Sequence, residues 1–151
     1  MSDTLDPTLQ QAILTRIRTI PAYSALGIDI IELSPGFCRA RAAHDRRFDG
    51  VFNSFHGGLL MTVADSVACF AIFTRTGPDA AMTTTDMNIR FLAPCLTDVT
   101  AVARVLKLGR TLVPVAIDLY DEPGAHVAVA QVTYMLLGSA RRNSRTDKPS
   151  G

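Results

Sequence analysis

Hydrophobic residues follow two different periods in the first part of this chain. In residues 7–20, four apolar side chains share one helical stripe: Leu9, Ile13, Ile17 and Ile20. This spacing predicts an amphipathic helix, which Pro21 ends. The next segment, LGIDIIELSPGFCRARAAH, alternates between apolar and polar residues on both sides of Pro35-Gly36. That alternation predicts two strands joined by a tight turn.

The rest of the chain predicts one long apolar helix and four strands. After the loop DRRFDGVFNSF, residues 57–73 are almost entirely apolar, and TGPDA interrupts the pattern. Four segments rich in β-branched residues follow: MTTTDMNIRFLAP, DVTAVARVLKLG, TLVPVAIDLYD and HVAVAQVTYMLLG. A helix that is apolar around nearly its whole circumference must be surrounded by other elements. The element order therefore predicts an α+β domain in which an antiparallel sheet wraps a central helix.

Composition and charge limit the class of protein. A chain of 151 residues, 48% hydrophobic and 19% charged, is sized for one domain with a substantial core. We assign that domain to residues 1–138, with residues 1–20 as the N-terminal helix region, and expect residues 139–151 to be a basic, disordered tail. The tail carries +3 and the remainder −2, so the domain offers no surface for nucleic acid. Lacking a leader-like N-terminus and an uncharged apolar run of about 18 residues, the chain is expected to be cytoplasmic and to enter no membrane.

Motifs for metal binding and for a serine nucleophile are absent from the sequence. Three cysteines lie in apolar segments without metal-ligand spacing, which is typical of buried structural cysteines: Cys38, Cys69 and Cys95. His44 and His126 have no companion at metal-ligand spacing. The GxSxG turn that carries the nucleophilic serine of many hydrolases is also missing. We therefore expect no metal site and no serine nucleophile.

One carboxylate, Asp65, stands in the middle of the apolar segment NSFHGGLLMTVADSVACFAIF. A buried carboxylate is costly unless it is paired or hydrogen-bonded, and such groups concentrate at functional sites. We interpret Asp65 as a group that takes part in catalysis. The alternative is that it faces a dimer seam or caps a neighbouring element.

Two glycines, Gly57 and Gly58, begin the same helix directly after His56. The first turn of a helix has N–H groups without partners and carries partial positive charge, which stabilises a developing oxyanion. Glycine leaves those amides open to a ligand. The alternative is a glycine turn that only joins the loop to the helix.

The spacing of Gly57 and Asp65 has a consequence for assembly. They are eight residues apart on one helix, which places them about 12 Å apart along its axis. A single carbonyl cannot contact both. If both act on one substrate, the amide must come from one subunit and the carboxylate from another, across a two-fold axis.

Three segments together resemble the hotdog-fold acyl-CoA thioesterases: HGGLLMTVAD, TTTDMNIRFLAP and VLKLGRT. The resemblance covers about residues 20–138 and is to the branch with phenylacetate-pathway, 4-hydroxybenzoyl-CoA and mammalian thioesterase-superfamily-member-2 enzymes. It implies a hotdog fold and a thioester hydrolase in which Asp65 activates water or attacks the thioester carbon. It also implies that the Gly57 amide polarises the carbonyl and that the Thr84 hydroxyl assists the acid.

The resemblance further implies substrate contacts and an assembly. Four residues of the LKLGRT hairpin would hold coenzyme A, with Phe91 as a neighbour: Lys107, Gly109, Arg110 and Thr111. No cofactor is implied, since coenzyme A is part of the substrate, and the acyl group can be aliphatic or aromatic. We expect a homodimer, with dimers paired into a tetramer.

One position departs from the family pattern. The family often has Asn or Gln six residues before the His of HGG, whereas this chain has Gly50 there and Asn53 closer to His56. Asn53 is the candidate to replace the missing amide, and we expect it beside the thioester together with His56 and Gly58. His56 is expected to order the loop, with a role as general base as the alternative. The departure leaves a second function open: a hotdog protein that binds acyl-CoA, or acts as a scaffold, without catalysis.

Overall fold

The computed structural model describes residues 4–138, so the predicted tail at 139–151 lies outside the described residues. Along the chain the elements are α1 (Pro7–Arg18), α2 (Pro21–Ala25), β1 (Ile28–Ser34), β2 (Phe37–Ala42), a 3-10 turn (Arg46–Phe48), α3 (Gly57–Thr76), β3 (Met82–Phe91), β4 (Val99–Val105), β5 (Leu112–Asp121) and β6 (His126–Leu136). The predicted central helix and all six predicted strands are present. The short helix α2 is an addition to the prediction.

Capping residues explain where the first two helices begin. Asp6 caps α1 by accepting the Leu9 N–H at 3.0 Å, and Pro7 occupies the first turn, where no N–H is needed. The helix ends at Arg18, and Pro21 then begins α2 at its first position. The prediction that Pro21 ends the first helix is right about the break, but it misses the second helix that the proline starts.

The six strands form one antiparallel sheet in the order β1-β2-β4-β5-β6-β3. Among the strands of residues 4–138, β3 lies at one edge of the sheet and pairs with β6 alone. Alternate residues of β5 are fully buried: Val113, Val115, Ile117 and Leu119. Since α3 contacts all six strands, the sheet wraps around it. This is the hotdog fold that the resemblance implies.

The central helix α3 is buried over most of its surface. Its fully buried side chains include Val67, Phe70 and Ile72. The opposite stripe is exposed or half-buried within one chain: Gly58, Thr62, Asp65, Cys69 and Phe73. The prediction of burial around nearly the whole circumference is therefore wrong for this stripe. By length and composition α3 could cross a membrane, but 61% of that window is buried inside the fold.

Candidate active site

Asp65 projects from the partly exposed stripe of α3 toward the sheet edge formed by β6 and β3. The Thr84 hydroxyl donates to Asp65 Oδ1 at 2.7 Å, and the Tyr134 hydroxyl lies 2.8 Å from the same oxygen. The Tyr134 hydroxyl is also 2.9 Å from the main-chain oxygen of Asp65, so its single proton is shared between two acceptors. Within residues 4–138, Asp65 Oδ2 has no hydrogen-bond partner, and no buried side-chain oxygen lacks one. Oδ2 therefore reaches solvent.

A β-bulge in β3 brings Thr84 to this position. Thr84 pairs with Tyr134 across the β3–β6 ladder, but the following register pair skips Thr85. Because of this extra residue, the set of β3 side chains that face inward changes from one side of the bulge to the other. Thr84 and Met87 are consequently both half-buried, although an unbroken strand turns residues three apart to opposite faces.

Tyr134 belongs to the site but is not among the residues predicted from the sequence. Its side chain is only 6% exposed. Burial raises the pKa of Tyr134 well above its ordinary value, and the neighbouring Cys69 and Asp65 add to the effect. The phenol therefore keeps its proton at neutral pH and acts as a donor. The available signal was a tyrosine at an inward-facing position of an apolar strand, because a buried hydroxyl needs a partner.

A cleft of about 560 Å³ opens beside the two hydroxyls that hold Asp65, between α1, α3 and the start of β3. Its apolar lining includes Phe73, Met82 and Leu137. Cys69 also lines it, and burial raises the pKa of this thiol to about 12, so the sulfur stays protonated at neutral pH. Arg16 and Asp79 also line the cleft, so the space next to the carboxylate offers both apolar and polar contacts to a ligand.

The start of α3 presents one open N–H group. His56 Nδ1 accepts the Gly58 N–H at 2.9 Å, and the His56 carbonyl accepts those of Leu59 and Leu60 at 2.9 and 3.0 Å. The Gly57 N–H has no acceptor anywhere in residues 4–138. An Nδ1 that accepts this bond is not free to take a proton from water. The geometry thus gives His56 a capping role and leaves the Gly57 N–H for a ligand.

A second cleft, of about 480 Å³, lies at this end of α3 and is lined by Gly57, Leu60 and Phe91, among others. The Phe91 ring covers Gly57 closely, since an added Cβ would lie 3.1 Å from the ring. Phe91 is nevertheless 52% exposed. Glycine at position 57 therefore keeps space for the aromatic ring as well as access to the amide.

Gly57 and Asp65 do not meet within one chain. Gly57 lines the second cleft, whereas the residues that hold Asp65 line the first. Both residues belong to the continuous helix α3, so their eight-residue separation corresponds to about 12 Å. The donor and the carboxylate of a single chain cannot act on the same carbonyl.

The predicted coenzyme A hairpin, residues 106–111, joins β4 to β5. Gly109 is required there, because an added Cβ would lie 2.4 Å from a backbone carbonyl oxygen of β5. The Thr111 carbonyl ties the hairpin to the end of β6 by accepting an N–H at 2.7 Å. Lys107 and Arg110 are exposed, and in the part of the chain that the structure describes neither forms an ion pair. Both charges are available to a ligand.

Phe91 and this hairpin lie at opposite ends of the sheet. The first residue of β5 pairs with Met135, which pairs in turn with Thr83 near the start of β3. Phe91 ends β3, and eight residues of strand span roughly 25 Å. Within one chain Phe91 therefore does not neighbour the hairpin, because the strand carries the ring to the other end of the sheet, and its contact with coenzyme A stays a prediction.

The loop before α3 accounts for an asparagine at position 53. Asn53 has a φ of 55°, a left-handed conformation that Asn tolerates better than most residues. It is exposed, and its N–H donates to the Gly50 carbonyl at 3.1 Å. A Cβ at Gly50 would meet nothing closer than 3.8 Å, so a side chain fits there. A role of Asn53 toward a substrate stays a prediction.

His44 anchors the same loop. Its Nε2 lies 2.5 Å from Asp49 Oδ1, and its ring stacks on Phe55 with 5.6 Å between centroids. Across residues 4–138, no three His, Cys, Asp or Glu side chains are grouped so that they could hold a metal ion. The His44–Asp49 pair thus supports the loop that leads into α3.

Comparison with known sequences places the chain in a family. The thioesterase superfamily model matches residues 52–128, just over half of the chain. Human acyl-coenzyme A thioesterase 13 is 29% identical over 97 residues, which make up 63% of this chain and 69% of the human protein. The matched residues cover α3, β3, β4 and β5, with Gly57, Asp65 and Thr84, whereas Tyr134 lies beyond them.

Solved structures have the same fold. A thioesterase family protein from Silicibacter pomeroyi superposes with a TM-score of 0.78 at 28% identity, over 85% of this chain and 98% of that one. The PaaI protein of the E. coli phenylacetic acid degradation operon gives 0.81 at 24% identity, over 89% and 97%; the latter likeness shows the fold alone. With its family match, its hotdog fold and a carboxylate held beside a cleft of mixed polar and apolar lining, this chain is a thioester hydrolase that belongs to the thioesterase superfamily.

Proposed function

We propose that this enzyme hydrolyses aliphatic or aromatic acyl-CoA thioesters in a site shared between two subunits. The observation that carries the proposal is the state of Asp65, whose Oδ1 is held by two hydroxyls while Oδ2 remains open beside a cleft that is lined in part by apolar side chains. A carboxylate with one open oxygen, held next to space for an acyl chain, suits attack on a thioester.

The Gly57 N–H of one subunit donates to the thioester oxygen and stabilises the negative charge that develops on it. The Asp65 carboxylate of the other subunit either takes a proton from a water that attacks the carbonyl carbon or attacks that carbon itself. The C–S bond then breaks, and the thiolate of coenzyme A leaves and is protonated. If Asp65 attacks the carbon itself, this step leaves an acyl-aspartyl anhydride, which water then hydrolyses to the acid and the free carboxylate. The net reaction consumes one water and yields a carboxylic acid and free coenzyme A.

Two surfaces support a homodimer of this kind. The partly exposed stripe of α3 includes Thr62, which is exposed, and Phe73, which is half-buried, so the chain's own sheet does not cover it fully. The edge strand β3 has a neighbour on one side only, β6. Placing two α3 helices antiparallel across a two-fold axis would bring Gly57 of one chain toward Asp65 of the other. We further propose that such dimers pair into tetramers in the cytoplasm.

The β4–β5 hairpin supports coenzyme A as the thiol part of the substrate. Lys107 and Arg110 carry positive charges without ion pairs in the described part of the chain, and such groups bind phosphates. Gly109 allows the close approach of the backbone to β5, and the Thr111 carbonyl bonds the hairpin to the end of β6. The enzyme needs no cofactor in this proposal beyond the coenzyme A of its substrate.

A thiol-release assay over a panel of aliphatic and aromatic acyl-CoAs tests the proposal. We expect the wild-type enzyme to release coenzyme A and Asp65→Asn to lower kcat by at least about 100-fold, since the amide cannot accept the proton or attack. Asp29→Asn, at the far edge of the sheet on β1, makes the same charge change and should leave kcat intact. Acyl-CoA binding without thiol release would instead favour the non-catalytic alternative. An Asp65→Asn enzyme with wild-type kcat would refute the role of Asp65.

A further inference from the structure

The two oxygens of the Asp65 carboxylate are in different states. Oδ1 accepts the Thr84 hydroxyl at 2.7 Å and lies 2.8 Å from the Tyr134 hydroxyl. Oδ2 has no partner in residues 4–138 and reaches solvent. We propose that Tyr134 is a positioning residue that, together with Thr84, fixes the carboxylate so that Oδ2 alone reacts with the thioester or the attacking water. This proposal rests on the function proposed above.

Rotation of the carboxylate is the motion that Tyr134 restricts. The terminal torsion of an aspartate is broad and roughly two-fold, so an unheld carboxylate exchanges its two oxygens freely. Attack on a carbonyl needs the reacting atoms aligned within a short distance, and misalignment lowers the rate without preventing binding. Two hydroxyls on one oxygen define the orientation of the whole planar group.

The position of the Tyr134 hydroxyl relative to Asp65 is fixed by its surroundings. Its side chain is buried at 6% exposure, and its hydroxyl is also 2.9 Å from the main-chain oxygen of Asp65. The phenol therefore contacts both the backbone and the carboxylate of the same residue. Since Thr84 is its partner across the β3–β6 ladder, the two donors are fixed relative to each other by the sheet.

Tyr134→Phe tests the proposal, because it removes the hydroxyl and keeps the ring. We expect kcat for acyl-CoA to fall about 10-fold, as for loss of one hydrogen bond to a charged group, with KM changed less than about two-fold. Tyr120→Phe is the matched control: Tyr120 stacks on His126 with 4.9 Å between ring centroids and has no contact with Asp65. It should behave as wild type. Should Tyr134→Phe fold poorly, Tyr134→Met also lacks the hydroxyl and fills the space with a flexible apolar chain.

A double variant separates positioning from a general structural role. If Tyr134 acts through Asp65, adding Tyr134→Phe to Asp65→Asn should cause no further loss beyond that of Asp65→Asn alone. A further loss in the double variant, or a Tyr134→Phe enzyme whose kcat equals that of the wild type, would overturn the positioning role. Failure of the proposed function has a different signature, since Asp65→Asn would itself then retain wild-type kcat.

Discussion

Two inactive variants of this enzyme should restore each other's activity when their subunits are mixed. Asp65→Asn removes the carboxylate charge from one type of subunit. Gly57→Val blocks the helix start of the other. A Cβ added at position 57 would lie 3.1 Å from the Phe91 ring, and the two methyl groups of valine would add to the crowding. Each homodimer then carries two defective sites.

The expected recovery follows from the geometry of α3. Gly57 and Asp65 of one chain lie about 12 Å apart along the helix. Gly57 lines one cleft, and the two residues that hold Asp65 line the other. In a mixed dimer, one of the two shared sites contains both substitutions and the other contains neither. A purified heterodimer should therefore have about half of the wild-type activity, and a randomly paired mixture about a quarter.

The assay uses two affinity tags. Subunits with different tags are refolded together, heterodimers are isolated by both tags in succession, and thiol release is measured at saturating acyl-CoA. Each variant paired with a wild-type subunit is the control, because such a dimer also has one intact site and should show about half activity. Folded heterodimers as inactive as their parents would place the donor and the carboxylate within one chain, and the shared site would be refuted.

Four further outcomes are expected. Replacing both Lys107 and Arg110 with alanine should raise KM about 10-fold for acyl-CoA but not for a short thioester without the nucleotide, in parallel steady-state assays; equal changes would contradict phosphate binding. Gly109→Ala brings a Cβ within 2.4 Å of a backbone oxygen, so the hairpin must shift, and KM for acyl-CoA should rise while kcat for the nucleotide-free thioester is unchanged. Gly50→Gln, at a position with space for a side chain, should raise kcat up to about 10-fold by adding a donor to the thioester oxygen, as single-turnover rates would reveal. Because burial raises the pKa of Cys69 to about 12, that thiol should resist alkylation in native protein at pH 8 and react after denaturation; rapid native labelling, followed by mass spectrometry, would contradict this.

Much of the fold could be predicted because hydrophobic residues recur along the sequence with the periods of strands and helices. Alternation in β2 and the apolar length of α3 are local signals that agree with the burial observed in the structure. In β1 a register shift between Ile30 and Glu32 interrupts the alternation and leaves Ile31 exposed. Helix α2, of five residues, is too short to show a period. The bulge in β3 interrupts the period of two along the strand. Met82 and Met87 are an odd number of residues apart, yet both are half-buried.

The site was predictable where its chemistry is local. Asp65 stands out against the apolar residues around it, and its distance from Gly57 follows from helix geometry alone. The partnership of Tyr134 with Asp65 depends on the register between β3 and β6, which no local pattern specifies. The separation of Phe91 from the β4–β5 hairpin depends on the same register.

The position of β3 in the sheet also determines when this enzyme can become active during folding. β3 has one sheet neighbour, β6, the last strand of the described chain. Thr84 and Tyr134 are fifty residues apart in the chain and pair directly, so their ladder requires closure of a long loop, which is slow compared with local contacts. Asp65 acquires both of its hydroxyl donors only when that ladder forms. Catalytic activity recovered during refolding should therefore trail the helical signal of α3 and report the docking of the final strand pair.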